Sequence, residues 1–271
     1  MTRAYLEAER PLAFAHRGGA GLWPENTLEA FRGALGAGCR YIETDLHMTR
    51  DGVIVIHHDE RLERTTNGVG PVRVRSLSEL GDLDAGFRFT QDGGHSYPFR
   101  GKGVTIPTFE EALALSGTVH FNIEIKQREP SMARALWELI EKHGLHDRVL
   151  VAAAEDDIGH EFDRIARGRV ARSPGVRGVL AFWAASRVGA ARLLSPRYDA
   201  LQVPPQQGPL TVVDRRFVRA AHSAGLHVHV WTIDDPVEMR RLLSLGVDGL
   251  MSDRPDILMD VVRELQAAPA P

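Results

Sequence analysis

Short apolar runs alternate with amphipathic stretches along most of the chain. The runs are rich in β-branched and aromatic residues, as strands are, and the stretches between them have apolar positions three or four apart, as helices do. We predict strands over residues 12–17, 41–46, 53–57, 119–126, 149–153, 179–182, 200–203, 228–233 and 249–252. This alternation is typical of βα units around a parallel sheet, and the strands suffice for an α/β TIM (β/α)8 barrel.

The amphipathic stretches predict the helices that would surround such a barrel. They cover residues 27–35, 109–115, 131–143, 157–167, 214–224, 236–245 and 255–265. Two of them follow a capping-box pattern, Asn26 to Glu29 and Thr108 to Glu111, in which a side-chain oxygen accepts a hydrogen bond from a free N–H of the first turn. These patterns predict where the two helices begin.

Residues 62–107 interrupt the alternation. The segment is rich in glycine, aromatic and charged residues, and an unstructured loop of this length is improbable inside a compact domain. We therefore predict a single barrel domain over residues 1–271, with 62–107 as an inserted lobe. Because the lobe follows a strand, it should lie at the carboxyl end of the barrel.

Two predicted strands carry polar residues where barrel strands are normally apolar. Side chains two residues apart in a strand share a face, so Glu43 and Asp45 point together, and so do Asn122, Glu124 and Lys126. Three carboxylates in one barrel mouth would repel one another unless a cation neutralised them, and oxygen ligands suit Ca²⁺ or Mg²⁺. The alternative is that Lys126 and Arg17 neutralise the carboxylates in buried ion pairs.

Histidines stand at the ends of two predicted strands. His16 ends the first strand and the pair His57 and His58 ends the third, so histidines lie where they can act as general acid and base near neutral pH. Alternation does not choose between His57 and His58. Arg17 and Lys126 add positive charge suited to an oxyanion such as phosphate, or serve as counter-ions of the carboxylates.

Near the carboxyl terminus, His227, His229 and Trp231 share one strand face. Trp231, at the strand end, is either an apolar wall for a substrate or a core residue. His229 lies deeper and is better suited to an interior hydrogen bond than to catalysis.

The composition and net charge of the chain exclude some classes of function. The hydrophobic content of 43% provides for a core, and the net charge of −3 gives no basic field for nucleic acid. The single cysteine, Cys39, cannot form an intramolecular disulfide. The first residues contain charges throughout and no apolar stretch reaches the length of a membrane span, so we expect a cytoplasmic protein without stable membrane association.

Five blocks of the sequence together resemble the glycerophosphodiester phosphodiesterase family. They are HRGGAGLWPENT, ETDLHMTRDGVIVIHHDERLERTTNG, NIEIK, VWTIDD and GVDGLMSDRPD, and they run in order from about residue 13 to 256. The resemblance implies a TIM barrel with an insertion after an early strand, in agreement with the interruption noted above.

The resemblance also implies roles for named residues. It implies a divalent metal ion held by Glu43, Asp45 and Glu124, with His16 and His58 as the acid–base pair; it favours His58 because that residue precedes the matching aspartate. The phosphate would lie near Arg17 and Lys126, and Trp231 would line the pocket; these are the substrate-binding residues that it implies.

The implied reaction is hydrolysis of a small glycerophosphodiester to glycerol 3-phosphate and an alcohol, within lipid and glycerol metabolism. Activity on lysophospholipids or phosphoinositides is one alternative, since phospholipase D-like toxins and phospholipases C have a related barrel. A barrel that only binds a phosphorylated metabolite is another. The resemblance leaves the alcohol, the metal and the oligomeric state open.

Overall fold

The computed structural model describes residues 3–8, 10–194 and 197–267. The strands are β1 (Leu12–Ala15), β2 (Tyr41–Met48), β3 (Ile54–Ile56), β4 (His120–Ile125), β5 (Val149–Ala152), β6 (Ala171–Arg172), β7 (Ala200–Val203), β8 (Gln206–Gln207), β9 (Leu210–Thr211), β10 (His227–Val230) and β11 (Gly249–Ser252). The α-helices are α1 (Leu28–Ala37), α2 (Leu77–Gly81), α3 (Phe109–Leu113), α4 (Ala133–His143), α5 (Asp156–Ala166), α6 (Val176–Val188), α7 (Arg215–Ser223), α8 (Pro236–Ser244) and α9 (Pro255–Ala267).

Eight parallel strands form a nearly closed barrel in the order β6-β5-β4-β2-β1-β11-β10-β7. Between β6 and β7 the Asp199 N–H donates to the Arg172 carbonyl at 2.8 Å, which brings the two ends of the sheet together. β3 is the exception, since it pairs antiparallel with β2. The predicted TIM barrel is confirmed.

Apolar side chains on the outer face of the strands pack under the helices. One cluster joins β2, β4 and β5 to α1, α4 and α5, and a second joins β7, β10 and β11 to α7, α8 and α9. The barrel interior therefore has to be filled by the alternate side chains of the same strands, and many of these are polar.

Residues 62–107 form an apolar cluster together with β3, separate from the clusters under the barrel helices. Its buried members are Val55, Leu62, Val72, Leu80, Ala85, Val104 and Ile106. The segment also reaches the loop after β1, where the Gln91 amide donates to the Gly21 carbonyl at 2.9 Å. The interpretation of this segment as an inserted lobe of one barrel domain stays a prediction.

One predicted strand is wrong. Residues 179–182 lie within α6, where Phe182 is buried and Leu180 points outward with 57% of its surface exposed. Since this helix is apolar on both faces, its sequence has no 3.6-residue alternation and reads as a short apolar strand. The actual strand, Ala171–Arg172, is only two residues long and contains an arginine, so no apolar run signals it.

The predicted start of α1 is wrong by one residue. Its N-cap is Thr27, whose hydroxyl accepts from the Ala30 N–H at 3.2 Å, while Asn26 has a left-handed backbone with φ 58°. The capping box from Thr108 to Glu111 is confirmed. Among the described residues, none of the helices has both the length and the apolar character needed to span a bilayer.

Candidate active site

Three carboxylates converge at the carboxyl end of β2 and β4. The parallel register sets Asp45 beside Glu124 and Glu43 beside Asn122, so the alternation predicted from sequence is confirmed. One oxygen each of Glu43, Asp45 and Glu124 lies within 4.8 Å of the others. We call these three residues the carboxylate cluster; Glu43 and Asp45 are buried, and Glu124 is partly exposed.

The charge of the carboxylate cluster is only partly neutralised by the chain itself. Lys126 Nζ lies 3.2 Å from Asp45 Oδ1 and 2.9 Å from Glu124 Oε2, so the ion pairs considered as an alternative to a metal are present. Even so, burial and the charge of Asp45 raise the pKa of Glu43 to about 7. The cluster thus retains negative potential and converging oxygen donors, and these residues fit a hard divalent cation.

His16 reaches this cluster because β1 ends in a sharp turn. Arg17 has φ 50°, and Gly18 and Gly19 have φ 83° and 101°, so the chain bends and adjacent side chains need not point apart. A Cβ on Gly18 would lie 2.6 Å from Phe31 Cδ1, and the bend therefore requires glycine at this position.

The His16 ring is held between two carboxylates. Its Nδ1 lies 2.7 Å from Asp253 Oδ1, and its Nε2 lies 3.8 Å from Glu43 Oε2. Burial lowers the pKa of His16, but Glu43 and Asp253 raise it by more, so the net shift is upward. His16 therefore lies beside the cluster with its orientation fixed by Asp253.

His57 and His58 have different surroundings, which alternation did not resolve. The His57 N–H donates to the Asp45 carbonyl at 3.0 Å, and its buried ring lies with Nε2 3.2 Å from the Arg61 carbonyl. His58 is half-buried, and its Nδ1 lies 2.6 Å from Asp59 Oδ1. His57 is occupied by the backbone, whereas the His58 Nε2 is left available.

Arg64 and Glu25 link the surroundings of His58 to the carboxylate cluster. Arg64 Nε lies 2.6 Å from Asp59 Oδ2, and its two Nη atoms lie 2.7 Å from the two Glu25 oxygens. Arg17 continues the chain, with Nη1 3.0 Å from Glu25 Oε1 and Nε 3.5 Å from Asp45 Oδ2. Burial raises the pKa of Glu25, but Arg64 and Arg17 bring it down to about 2.

Sequence reasoning placed none of Asp253, Asp59, Glu25, Arg64 and Asn26 in the site, and it gave Asn26 only a helix-capping role. Asn26 lies in the site because its amide donates to Asp45 Oδ2 at 2.8 Å and its carbonyl oxygen accepts from the Thr44 hydroxyl at 2.8 Å. All five belong to the sequence blocks that carry the family resemblance, and this position was the feature that could have pointed to them as site residues.

Trp231 follows β10 and lies at the same end of the barrel as the cluster, with 42% of its surface exposed. Its backbone N–H donates to the Val203 carbonyl at 3.2 Å, which fixes the backbone of that turn. The role of its ring in a substrate pocket stays a prediction.

Comparison with known proteins identifies related chains along nearly the whole length. The model of the glycerophosphoryl diester phosphodiesterase family matches residues 16–257. A probable glycerophosphodiester phosphodiesterase 2 of Mycobacterium tuberculosis is 36% identical over 269 residues, which cover 96% of this chain and 94% of the relative. A glycerophosphodiester phosphodiesterase of Bacillus subtilis is 32% identical, with 94% and 88% covered.

Solved structures agree with these matches. The glycerophosphodiester phosphodiesterase of Agrobacterium tumefaciens superposes with a TM-score of 0.72 at 28% identity, over 96% of this chain and all of that one. A phosphodiesterase of Oleispira antarctica, solved in complex with the product sn-glycerol-3-phosphate, gives a TM-score of 0.74 at 26% identity, with 93% and 97% covered.

Proposed function

The chain belongs to the glycerophosphoryl diester phosphodiesterase family, a family of enzymes, and from this premise we propose that it hydrolyses glycerophosphodiesters to glycerol 3-phosphate and an alcohol. The observation that carries the proposal is the convergence of three carboxylates within 4.8 Å beside His16 at the carboxyl end of the barrel. Active sites of this fold are built at that end.

We assign the substrate phosphate to the positive charges beside the cluster. Arg17 and Lys126 both lie next to Asp45, at 3.5 Å and 3.2 Å, and their cationic groups can form charge-assisted hydrogen bonds with phosphate oxygens. The Oleispira antarctica relative binds sn-glycerol-3-phosphate, which supports a phosphorylated glycerol as the moiety that this chain recognises. Trp231 is proposed as an apolar wall at the same end of the barrel.

His16 and His58 are proposed as the acid–base pair. One takes the proton of the attacking oxygen as its bond to phosphorus forms, and the other gives a proton to the alcohol oxygen as the phosphorus–oxygen ester bond breaks. Asp253 and Asp59 each hold the Nδ1 of one histidine, at 2.7 Å and 2.6 Å, which leaves the two Nε2 atoms for these transfers. The same pair can serve a water nucleophile or the 2-hydroxyl of the substrate.

Glu43, Asp45 and Glu124 are proposed to hold one Ca²⁺ or Mg²⁺. When bound, such a cation stabilises the negative charge that develops on phosphate oxygens. The cytoplasmic location and the choice between the two metals stay predictions. With the cation in place, Lys126 no longer has to neutralise Asp45 and Glu124 alone, and its ammonium group can turn to the substrate.

Metal removal tests this proposal. Release of glycerol 3-phosphate from glycerophosphocholine should be lost after chelation and restored by Ca²⁺ or Mg²⁺. Asp45→Asn should lower the activity at saturating metal by about 10²-fold, because a ligand oxygen and its charge are removed. Glu60→Gln is the matched control, because Glu60 is an exposed carboxylate outside the cluster that pairs with Arg73.

Full activity in the demetallated protein would contradict the metal role. Failure to release glycerol 3-phosphate from glycerophosphocholine, glycerophosphoethanolamine and glycerophosphoglycerol at saturating metal would contradict the proposed reaction itself.

A further inference from the structure

Helix α6 is apolar on the face that points away from the barrel. Its inner face packs through Phe182, which is fully buried, yet Val176, Leu180 and Val188 on the outer side are 66%, 57% and 77% exposed. A helix on the outside of a barrel normally has a polar outer face, and one that is apolar all round is normally covered. The outer face of α6 is therefore exposed to solvent, although a face of this apolar composition is normally buried.

The surface continues past the end of the helix. A 3₁₀ turn at Ala191–Leu194 follows α6, and in it Leu193 is 82% exposed and Leu194 is 42% exposed. We call the outer side of α6, this turn and the adjoining side of α7 the α6 face. Five exposed apolar side chains thus lie along α6 and the turn that follows it, and large exposed apolar patches mark sites of contact with a partner or a membrane.

The α6 face is also strongly basic. Residues 176–224 contain seven arginines and two aspartates, with no lysine or glutamate, although the whole chain has 33 basic and 36 acidic residues. Both aspartates are engaged, Asp214 with Arg187 and Asp199 with Arg3. In the described part of the chain, the guanidinium groups of six of these arginines have no carboxylate within 4.0 Å: Arg177, Arg192, Arg197, Arg215, Arg216 and Arg219.

We propose that the α6 face docks on the surface of an anionic lipid bilayer. Aliphatic side chains on such a face enter the boundary between head groups and acyl chains, while arginines contact lipid phosphates. Charge distinguishes this partner from a second copy of the chain. In a two-fold dimer the same arginines would face one another, and the excess of positive charge would oppose association.

This docking revises the expectation of no stable membrane association, which rested on the lack of an apolar stretch long enough to span a membrane and did not consider the charge of one face. A net charge of −3 averages a basic α6 face with an acidic remainder, so it does not describe either part. The α6 face lies outside the carboxylate cluster, and the proposal does not rest on the proposed reaction.

Vesicle sedimentation of the full chain tests the proposal. The bound fraction should be large on vesicles of phosphatidylcholine mixed with phosphatidylglycerol and small on phosphatidylcholine alone. It should fall when the salt concentration is raised, because screening weakens the contribution of exposed arginines. Leu180→Glu should lower the partition onto the mixed vesicles about tenfold, since it puts a charge into the apolar patch.

Two matched variants control for surface changes in general. Val237→Glu alters an equally exposed apolar residue, 71% exposed on α8, and should leave binding unchanged. Arg177→Glu should weaken binding, whereas Arg134→Glu, on the outer side of α4, should not. Circular dichroism and release of glycerol 3-phosphate from a soluble substrate verify that each variant is folded.

Equal binding to neutral and mixed vesicles, or to neither, would overturn the proposal, as would equal losses in Leu180→Glu and Val237→Glu. Self-association in sedimentation velocity that Leu180→Glu abolishes, without vesicle binding, would assign the α6 face to a second copy and also overturn it.

Discussion

The two ends of the barrel interior are both polar, but in the described part of the chain three converging carboxylates lie only at the carboxyl end. At the carboxyl end, the carboxylate cluster faces Lys126 and Arg17. At the amino end, the Tyr41 ring stacks on His120 with centroids 4.7 Å apart, and the Tyr41 hydroxyl donates to the Tyr5 carbonyl at 2.9 Å. The carboxylate cluster and the Tyr41–His120 pair come from the same two strands, because alternation along β2 and β4 carries inward-facing residues from one end to the other.

The layer between the two ends is built from neutral polar groups. His229 is fully buried, and burial together with the nearby His227 lowers its pKa to about 3. Gln202 donates to Asn122 Oδ1 at 2.6 Å across the interior. Gln202 and Asn122 in this layer are neutral hydrogen-bonding partners, and burial keeps His229 neutral. The charged residues Arg10 and Asp248 at the amino end pair with each other at 2.5 Å, so converging carboxylates distinguish the carboxyl end as the place for chemistry.

The largest effect should come from substitution of the two histidines at the carboxyl end of the barrel. We expect His16→Ala and His58→Ala each to lower the turnover number by about 10²-fold or more, the usual scale for a general acid or base. The measurement is steady-state release of glycerol 3-phosphate at saturating substrate. Thermal unfolding should be little changed, since both side chains are partly exposed at the barrel mouth.

His57→Ala is the neighbouring control for these variants. Its ring is buried and hydrogen-bonded to the Arg61 carbonyl, so the substitution should reduce stability more than turnover. Equal losses of turnover at positions 57 and 58 would contradict the assignment of His58, and near-normal turnover in His16→Ala would remove His16 from the mechanism.

The uncharged layer should instead make stability depend on pH. His229 has a folded-state pKa of about 3, below its unfolded value near 6.5, so the unfolded chain takes up a proton that the folded chain excludes. Stability is therefore fully present above pH 6.5 and falls as the pH is lowered toward 3, by up to about 1.4 kcal/mol per pH unit from this residue. Denaturant unfolding at pH 7, 6 and 5 measures the slope.

His229→Gln should reduce that slope, because glutamine does not titrate in this range. His160→Gln, at an exposed position on α5, should leave it unchanged. If the slope of His229→Gln matched that of the parent protein, the decline would have to come from other groups, and the neutral state of His229 would not contribute to it.

The sequence predicted which side chains of β2 and β4 share a face, but not the contacts that these side chains make with one another. Alternation in β2 and β4 placed Glu43, Asp45 and Glu124 on one face, because a strand's periodicity is a local property. It could not place Lys126 against Asp45, since that contact depends on the register between two strands far apart in the chain. The ladder from Tyr41 to Leu46 sets that register.

The secondary-structure predictions were wrong where a local sequence pattern is compatible with two structures. The apolar run at 179–182 fits either a strand or a helix with an apolar outer face, and only the packed structure decides between them. Asn26 resembles an N-cap, but the capping role belongs to Thr27 and the Asn26 amide turns to Asp45. In both cases the residues suit the locally predicted structure, but contacts with residues distant in the sequence determine the structure that forms.

The smallest expected effect on turnover is that of substituting Arg64. This residue lies at the carboxyl end of the barrel but belongs neither to the acid–base pair nor to the carboxylate cluster. Its guanidinium holds Asp59 and Glu25, and Asp59 in turn holds the Nδ1 of His58. We expect Arg64→Leu to lower the turnover number about tenfold, because the His58 ring loses part of the support that orients it. Arg64→Lys should recover little, since lysine cannot bridge two carboxylates with a planar group.

Double-mutant analysis separates this positioning role from a general loss of stability. If Arg64 acts through Asp59, the turnover of Arg64→Leu combined with Asp59→Asn should match that of the worse single variant, because the two residues form one chain of hydrogen bonds. Multiplied losses would mean that Arg64 acts independently of Asp59. Arg61→Leu is the matched control: this exposed arginine pairs with Glu63 at 2.5 Å, away from His58, so its loss should leave turnover unchanged.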